Sequence, residues 1–375
     1  MKIIHIISKL AAAGAESIAI NLAIHQSSKA EVYIITLGVG DEADVDVINW
    51  QRNLLNQYGV TLIELKGRSF RRDMLLLPYI LSKKIRGLKP DIVHSHTDRP
   101  DIVVSLASRI AKFNIVRTIH NTKIWDTWWL PGYISETGLS DDLIVYISED
   151  TKKTYKELRS KYYLGESKFQ HLINNGVSVP YESQWVKRNN LRSIYGINVE
   201  KLQVAFFGRM SLQKGCDILM KAIEMIDTNE IEFHFFGSGE ELVDLERRAR
   251  MTDLPVKFHK PVALAPATMH AFDLVVMPSR YEGVGLVSLE SQMVGTPVLI
   301  ADAPGLRESV CEGWPLRVPV EDPFALSKML RDVAKGCYDL NGLGLKAREW
   351  AGDFSVKKMC DQYDLAYENY LRDKA

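Results

Sequence analysis

Two carboxylates and a glycine turn stand close together late in this chain. Glu282 and Glu290 have seven residues between them, and Gly283, Val284 and Gly285 follow the first, all within MPSRYEGVGLVSLESQMVGTPV, residues 277 to 298. The order is an apolar strand end, a polar turn, the glycines and an apolar-periodic helix. The first amides of such a helix have no carbonyl partner, and its dipole is positive there, so anions settle at that end. Two carboxylates beside an anion site fit a ligand with hydroxyls at both ends and phosphate between them. A nucleotide sugar has that form. Were the span fully helical, the two Cα atoms would stand roughly 12 Å apart, against about 5 Å between the paired carboxylates of a retaining glycosidase. The spacing favours gripping two ends of one ligand over paired-acid hydrolysis. The plainer alternative is a glutamate complementing a helix dipole.

Arg209 and Lys214 flank a glycine-bounded loop, AFFGRMSLQKG, in which Gly208 ends an apolar run and Gly215 opens a helix. Fixed cations there would hold a departing diphosphate more tightly as its charge grows. Solvated surface cations are the alternative. His120 ends the run IVRTIH, where it either meets a ligand or serves as a structural hydrogen bonder. His94 and His96 lie two apart, hence on one strand face. That pairing would suit a metal, but no carboxylate cluster of ligand spacing accompanies it, so no metal is assigned; a role at an acceptor site or in the core remains for both. Trp125, Trp128 and Trp129 follow in KIWDTWWLPGY. Aromatic faces stack on sugars and sit at bilayer interfaces, which makes them candidate acceptor contacts, with burial against a sheet as the alternative. Phe236-Gly237-Ser238-Gly239 gives only a partial G-x-G after a strand, and its missing third glycine argues against a dinucleotide cofactor.

The E-x7-E spacing with EGVGL resembles the signature of retaining family 4 glycosyltransferases of the GT-B fold. Gly208 to Gly215 is similar to that family's G-R-x4-K-G loop, Asn174-Asn175-Gly176-Val177 to its interdomain N-G-V segment, and Glu321-Asp322-Pro323 through Leu326 to its D-P-x-x-L helix start. The resemblance implies two Rossmann-like domains facing a central cleft and metal-independent transfer of a hexose-type sugar from a nucleoside diphosphate. It implies that Glu282 holds donor-sugar hydroxyls and Glu290 the ribose, that Gly283, Val284 and Gly285 offer amides to the sugar and distal phosphate, and that His120 contacts the transferred sugar. Residues Lys260 to Val262 fall where the family's base pocket lies. Ala11 to Glu16 resembles the family's G-G-A-E turn, with Ala13 in place of the first glycine and Gly14 kept. A catalytically silent homologue that binds nucleotide sugars or acts as a scaffold is the alternative of a different class. An oxidoreductase lacks the glycines it would need.

Those residues need a frame. Apolar runs separated by helical patterns recur from Lys2 to Ile173 and again from Gln203 to Ile300, which calls for two α/β halves with parallel sheets covered on both faces. We place an N-terminal acceptor-binding domain at 1–180, a polar linker at Ser178 to Asn190, and a nucleotide-sugar-binding domain at 190–354. The helical segment 355–375 is expected to return to the first domain. A chain of 375 residues suits two cores. With 47 basic and 47 acidic residues there is no global field for nucleic acid. Four scattered cysteines and no long apolar run fit a cytoplasmic protein. Residues 66–89 concentrate Lys66, Arg68, Arg71, Arg72, Lys83, Lys84, Arg86 and Lys89 around an apolar core, so an anionic membrane surface is an expected partner beside a glycan or lipid-linked acceptor. A solvated helix edge is the alternative there.

Overall fold

The computed structural model describes residues 1–11, 14–39, 45–67, 70–124, 129–138, 142–177, 188–198, 200–227, 229–252, 254–262 and 265–374, without the side chains at 66–67, 70–75, 129, 189 and 252. The chain divides into two compact units, one comprising Met1–Gly176 and Val356–Ala375, the other Val177–Ser355.

The first unit is built on β1 (Lys2–Ile7), β2 (Glu31–Gly38), β3 (Thr61–Gly67), β4 (Ile92–His96), β5 (Ile115–Ile119), β6 (Leu143–Tyr146) and β7 (Phe169–Leu172). All pair in parallel, in the order β3-β2-β1-β4-β5-β6-β7. The strand order reverses between β1 and β4, and loops leaving the strand ends at such a point form binding crevices. Register sets His5 beside His94 and His96 beside Thr118. Because side chains alternate along a strand, these residues share one sheet face. The helices Gly14–Gln26 and Val356–Lys374 pack together over that face, bringing Gln26, Tyr363 and Tyr367 onto the histidines. On the other face Arg117 is wholly buried, answered by Asp101 at 2.9 Å and Glu136 at 2.8 Å. Neither face of this sheet is purely apolar.

The second unit carries β8 (Leu202–Phe207), β9 (Ile231–Phe236), β10 (Val256–His259), β11 (Leu274–Met277), β12 (Val298–Ala301) and β13 (Arg317–Val318). The order is β10-β9-β8-β11-β12-β13, again parallel, with its reversal between β8 and β11. Phe206, Phe233, Phe235, Phe236, Val276 and Ile300 fill its core. These strands are mostly apolar because helices cover both faces, with His234 hydrogen-bonded to Gln203 and His259 across β8, β9 and β10. Most of the expected linker, 178–187, lies outside the described residues, and its end is helical from Arg188. The D-P-x-x-L segment has a local cause: Asp322 caps the helix Pro323–Ala334 by accepting from the amide of Ala325 at 2.8 Å, Pro323 fits the first turn, and Leu326 is buried. Among the described residues no helix is long and apolar enough to cross a membrane.

Candidate functional site

The two loops that leave the second sheet at its reversal carry the predicted cations and the first carboxylate. Lys214 Nζ lies 2.6 and 2.9 Å from the two carboxylate oxygens of Glu282, and Ser279 Oγ donates to that carboxylate at 2.8 Å. Glu282 is buried and Lys214 a quarter exposed. The backbone of the Glu282 loop is stitched to both neighbours: the amide of Arg280 donates to Gln213 O of the cationic loop at 2.9 Å, and that of Glu282 to Pro304 O, past β12, at 3.0 Å. Gly215 sits at φ +69, and a Cβ there would lie 2.0 Å from Pro278 O. Only glycine allows this approach, which sets Lys214 against the turn.

Arg209 is exposed on the same loop, and no ion pair to it is present among the described residues. Gly208 and Met210 take the β9 side of the loop, their amides donating to Phe236 O and Ser238 O at 3.0 and 2.8 Å. The partial G-x-G therefore braces the cationic loop. Gly285, left-handed at φ 70, caps the helix Leu286–Met293. A side chain there would be strained, and the turn Gly283-Val284-Gly285 is buried. Glu290 lies on that helix, and burial pushes its carboxyl up to about 7. Val262 is partly buried against the core of this unit, and 263–264 lie outside the described residues.

Sequence reasoning missed Arg280. Its guanidinium meets Asp217 at 2.8 and 3.0 Å, Glu321 at 2.6 Å and the carbonyl of Leu212, tying the cationic loop, the helix Cys216–Glu224 and the Asp322 cap region together. An arginine two residues before Glu282 was the available signal.

In the first unit Gly14 opens the helix Gly14–Gln26 and is exposed, while Ala13 lies outside the described residues. His120 stands just past β5, partly buried, and burial lowers it to about 3. His94, expected as an acceptor contact, is instead a core residue. It is wholly buried, with Nδ1 2.6 Å from Tyr367 Oη and Nε2 2.8 Å from Thr118 Oγ1, so neither nitrogen is left for a ligand. His5, His94 and His96 bring ring nitrogens within 4.8 Å of one another, close enough to hold a metal. Yet all six of their nitrogens have hydrogen-bond partners: His5 with Gln26 and His96, His96 with His5 and His120, His94 as above. The set fits a hydrogen-bonded core better than a metal centre.

Trp125 and Trp128 lie outside the described residues, as do Arg68 and the side chains of Lys66, Arg71 and Arg72. The rest of the helix Phe70–Leu88 exposes Leu76, Tyr79, Ile80, Lys83, Lys84 and Arg86 while burying Leu77, Leu81 and Ile85.

Residues 12–179 match the model of a family described as Glycosyltransferase Family 4, and residues 201–335 that of Glycosyl transferases group 1, most of the chain between them. The O-antigen biosynthesis glycosyltransferase WclY of Escherichia coli is 25% identical over 100% of this chain and 99% of its own length. A D-inositol 3-phosphate glycosyltransferase of Xylanimonas cellulosilytica is 27% identical, over 74% of this chain and 72% of its own. Among solved structures, Anabaena HepE in complex with UDP-glucose superposes with a TM-score of 0.82 at 20% identity, covering 98% of this chain and 100% of that one. The lipopolysaccharide outer core galactosyltransferase WaaB gives 0.64 at 16%, covering 100% of both chains. With its two parallel sheets and these matches, the chain is a glycosyltransferase of the GT-B fold, of the group 1 and family 4 type.

Proposed function

We propose that this enzyme moves a hexose-type sugar from a nucleoside-diphosphate sugar to a hydroxyl of a glycan or lipid-linked glycan, retaining anomeric configuration and needing no metal, in the assembly of a bacterial surface polysaccharide. The observation that carries the reading is the Lys214–Glu282 pair at the reversal of the second sheet, with exposed Arg209 on the same loop and the Gly285-capped helix behind it. The UDP-glucose bound by HepE supports the donor class, and the O-antigen and lipopolysaccharide roles of WclY and WaaB support the acceptor class.

In this mechanism the bond from the anomeric carbon to the diphosphate breaks as the acceptor oxygen bonds to the same face. The acceptor proton passes to the departing diphosphate oxygen. Arg209, Lys214 and the amides of Gly283 to Gly285 stabilise the charge that grows there. Glu282 holds sugar hydroxyls and, through its pairing, keeps the Lys214 ammonium in place before the donor arrives. Glu290 accepts from the ribose hydroxyls, Val262 lies by the base, and Gly208 and Gly14 let their loops approach the phosphates and sugar. His120 meets the transferred sugar. The acceptor is held by the first unit, and the exposed face of residues 76–86 rests on anionic lipid.

Arg209→Ala and Lys214→Ala should each lower turnover by at least about 100-fold. Turnover in excess chelator should be unchanged, and the product anomer read by proton NMR should match the donor. Unaltered turnover in both variants would remove the proposal, and tight nucleotide binding with neither transfer nor donor hydrolysis would mark a silent homologue.

A further inference from the structure

A continuous chain of side-chain hydrogen bonds runs through the first unit from the C-terminal helix to His120. Gln26 Nε2 donates to Asp364 Oδ1 at 3.0 Å, and Gln26 Oε1 faces His5 Nε2 at 2.9 Å. His5 Nδ1 faces His96 Nε2 at 3.1 Å, and His96 Nδ1 faces His120 Nε2 at 3.1 Å. Gln26, His5 and His96 are almost wholly buried. Asp364 is partly exposed and lies 3.2 Å from Lys29 Nζ and 3.7 Å from His25 Nε2.

The chemistry of each group fixes the direction of the whole chain. An ionised carboxylate only accepts, so Gln26 turns its NH2 to Asp364 and its oxygen to His5. His5 must then donate from Nε2. All three rings are neutral near pH 7, since burial holds His5 at about 4, His120 at about 3 and His96 well below the usual histidine range. A neutral imidazole has one N–H and one lone pair. His5 Nδ1 therefore accepts from His96 Nε2–H, and His96 Nδ1 accepts from His120 Nε2–H. His120 is left with a bare lone pair on Nδ1, and no hydrogen bond reaches that atom among the described residues.

We propose that Asp364, Gln26, His5 and His96 are positioning residues that lock His120 in the Nε2–H tautomer, so that its Nδ1 accepts a hydrogen bond from a hydroxyl of the transferred sugar. The second half of this rests on the reading that His120 meets the donor; the first half does not. A fixed acceptor makes the site selective, because a donor lacking that hydroxyl leaves the lone pair unanswered.

The test uses the full chain with 15N-labelled histidine, its ring signals assigned by single substitutions and read by long-range proton–nitrogen correlation without donor. His5, His96 and His120 should all appear as Nε2–H tautomers. Asp364→Asn replaces an obligate acceptor by a group that can also donate. It should let Gln26 turn over, populate the Nδ1–H form of His120, and lower kcat/KM for the donor by roughly fivefold, the worth of about one hydrogen bond. Asp361→Asn, one turn away on the same helix, should do neither. An Nδ1–H signal for His120 in the unsubstituted protein overturns the relay, as does uptake of one Zn²⁺ per chain with loss of those ring N–H signals. A tautomer shift in Asp364→Asn at unchanged kcat/KM overturns the sugar contact and leaves the relay standing.

Discussion

Glu290 keeps its proton to about pH 7 because burial disfavours its charged form, which makes it the residue whose chemistry is easiest to move by solution conditions. In the proposed ribose contact a carboxylate would accept from both hydroxyls, whereas the protonated acid has one fewer acceptor position. Affinity for the nucleoside diphosphate should therefore rise between pH 6 and 8, and Glu290→Gln should flatten the slope; a parallel slope in the variant would contradict this role. The stability sign runs the other way. The folded chain holds this proton above the ordinary carboxylate range, so stability from the group is present at low pH and lost as pH rises through about 7. Residue identities here were legible in the chain: Glu282, Lys214 and Arg209 stand out by type and spacing. Their pairing was not, because Lys214 and Glu282 are 68 positions apart and meet only when β8 lies beside β11. His94 shows the converse. Two histidines on one strand face are visible in sequence, but the helix that covers them is 273 positions away at Tyr367.

At the scale of elements, the cationic loop is held by its neighbours more than by its own turn. Arg280 satisfies Asp217, Glu321 and the Leu212 carbonyl, so Arg280→Ala leaves a partly buried carboxylate unanswered and should cost about 2 kcal/mol in urea unfolding. It should also weaken nucleotide binding without touching the ligand. Unchanged stability would show that the bolt is ornamental. Among the described residues, twelve of the thirteen strands could be read from apolar runs, and the exception, β13, has only two residues, too few for any period to show. The helix from Arg188 begins in a stretch read as polar linker. Its hold is tertiary: Arg188 and Arg192 both reach Asp273, 2.7 Å away for the former. Local pattern carries no trace of such an anchor.

Across the whole molecule, burial of histidine dominates the response to acid. Seven of the nine, His5, His94, His96, His120, His234, His259 and His270, are pushed below their ordinary value chiefly by burial. The unfolded chain takes up those protons below about pH 6.5, while the folded chain resists them to about 4 at His5 and His234 and about 3 at His120, so stability falls as pH drops through that window. Glu290 and Asp142, both raised to about 7 by burial, oppose it with fewer groups. Urea midpoints should fall from pH 6.5 to 4.5, and a rising midpoint would refute the balance. The two α/β halves were legible because a parallel sheet writes an apolar run for each strand.

In the proposed mechanism, positive charge on the loop after β8 and the turn after β11 together hold a diphosphate. Thermal shift with a panel of nucleoside diphosphates, run on the unsubstituted chain and on Arg209→Ala, measures this most directly. At 100 times its dissociation constant a ligand stabilises by about 2.7 kcal/mol, so one nucleoside diphosphate should raise Tm clearly in the first protein and little in the second. Equal shifts in both, or no shift with any base, would contradict the account.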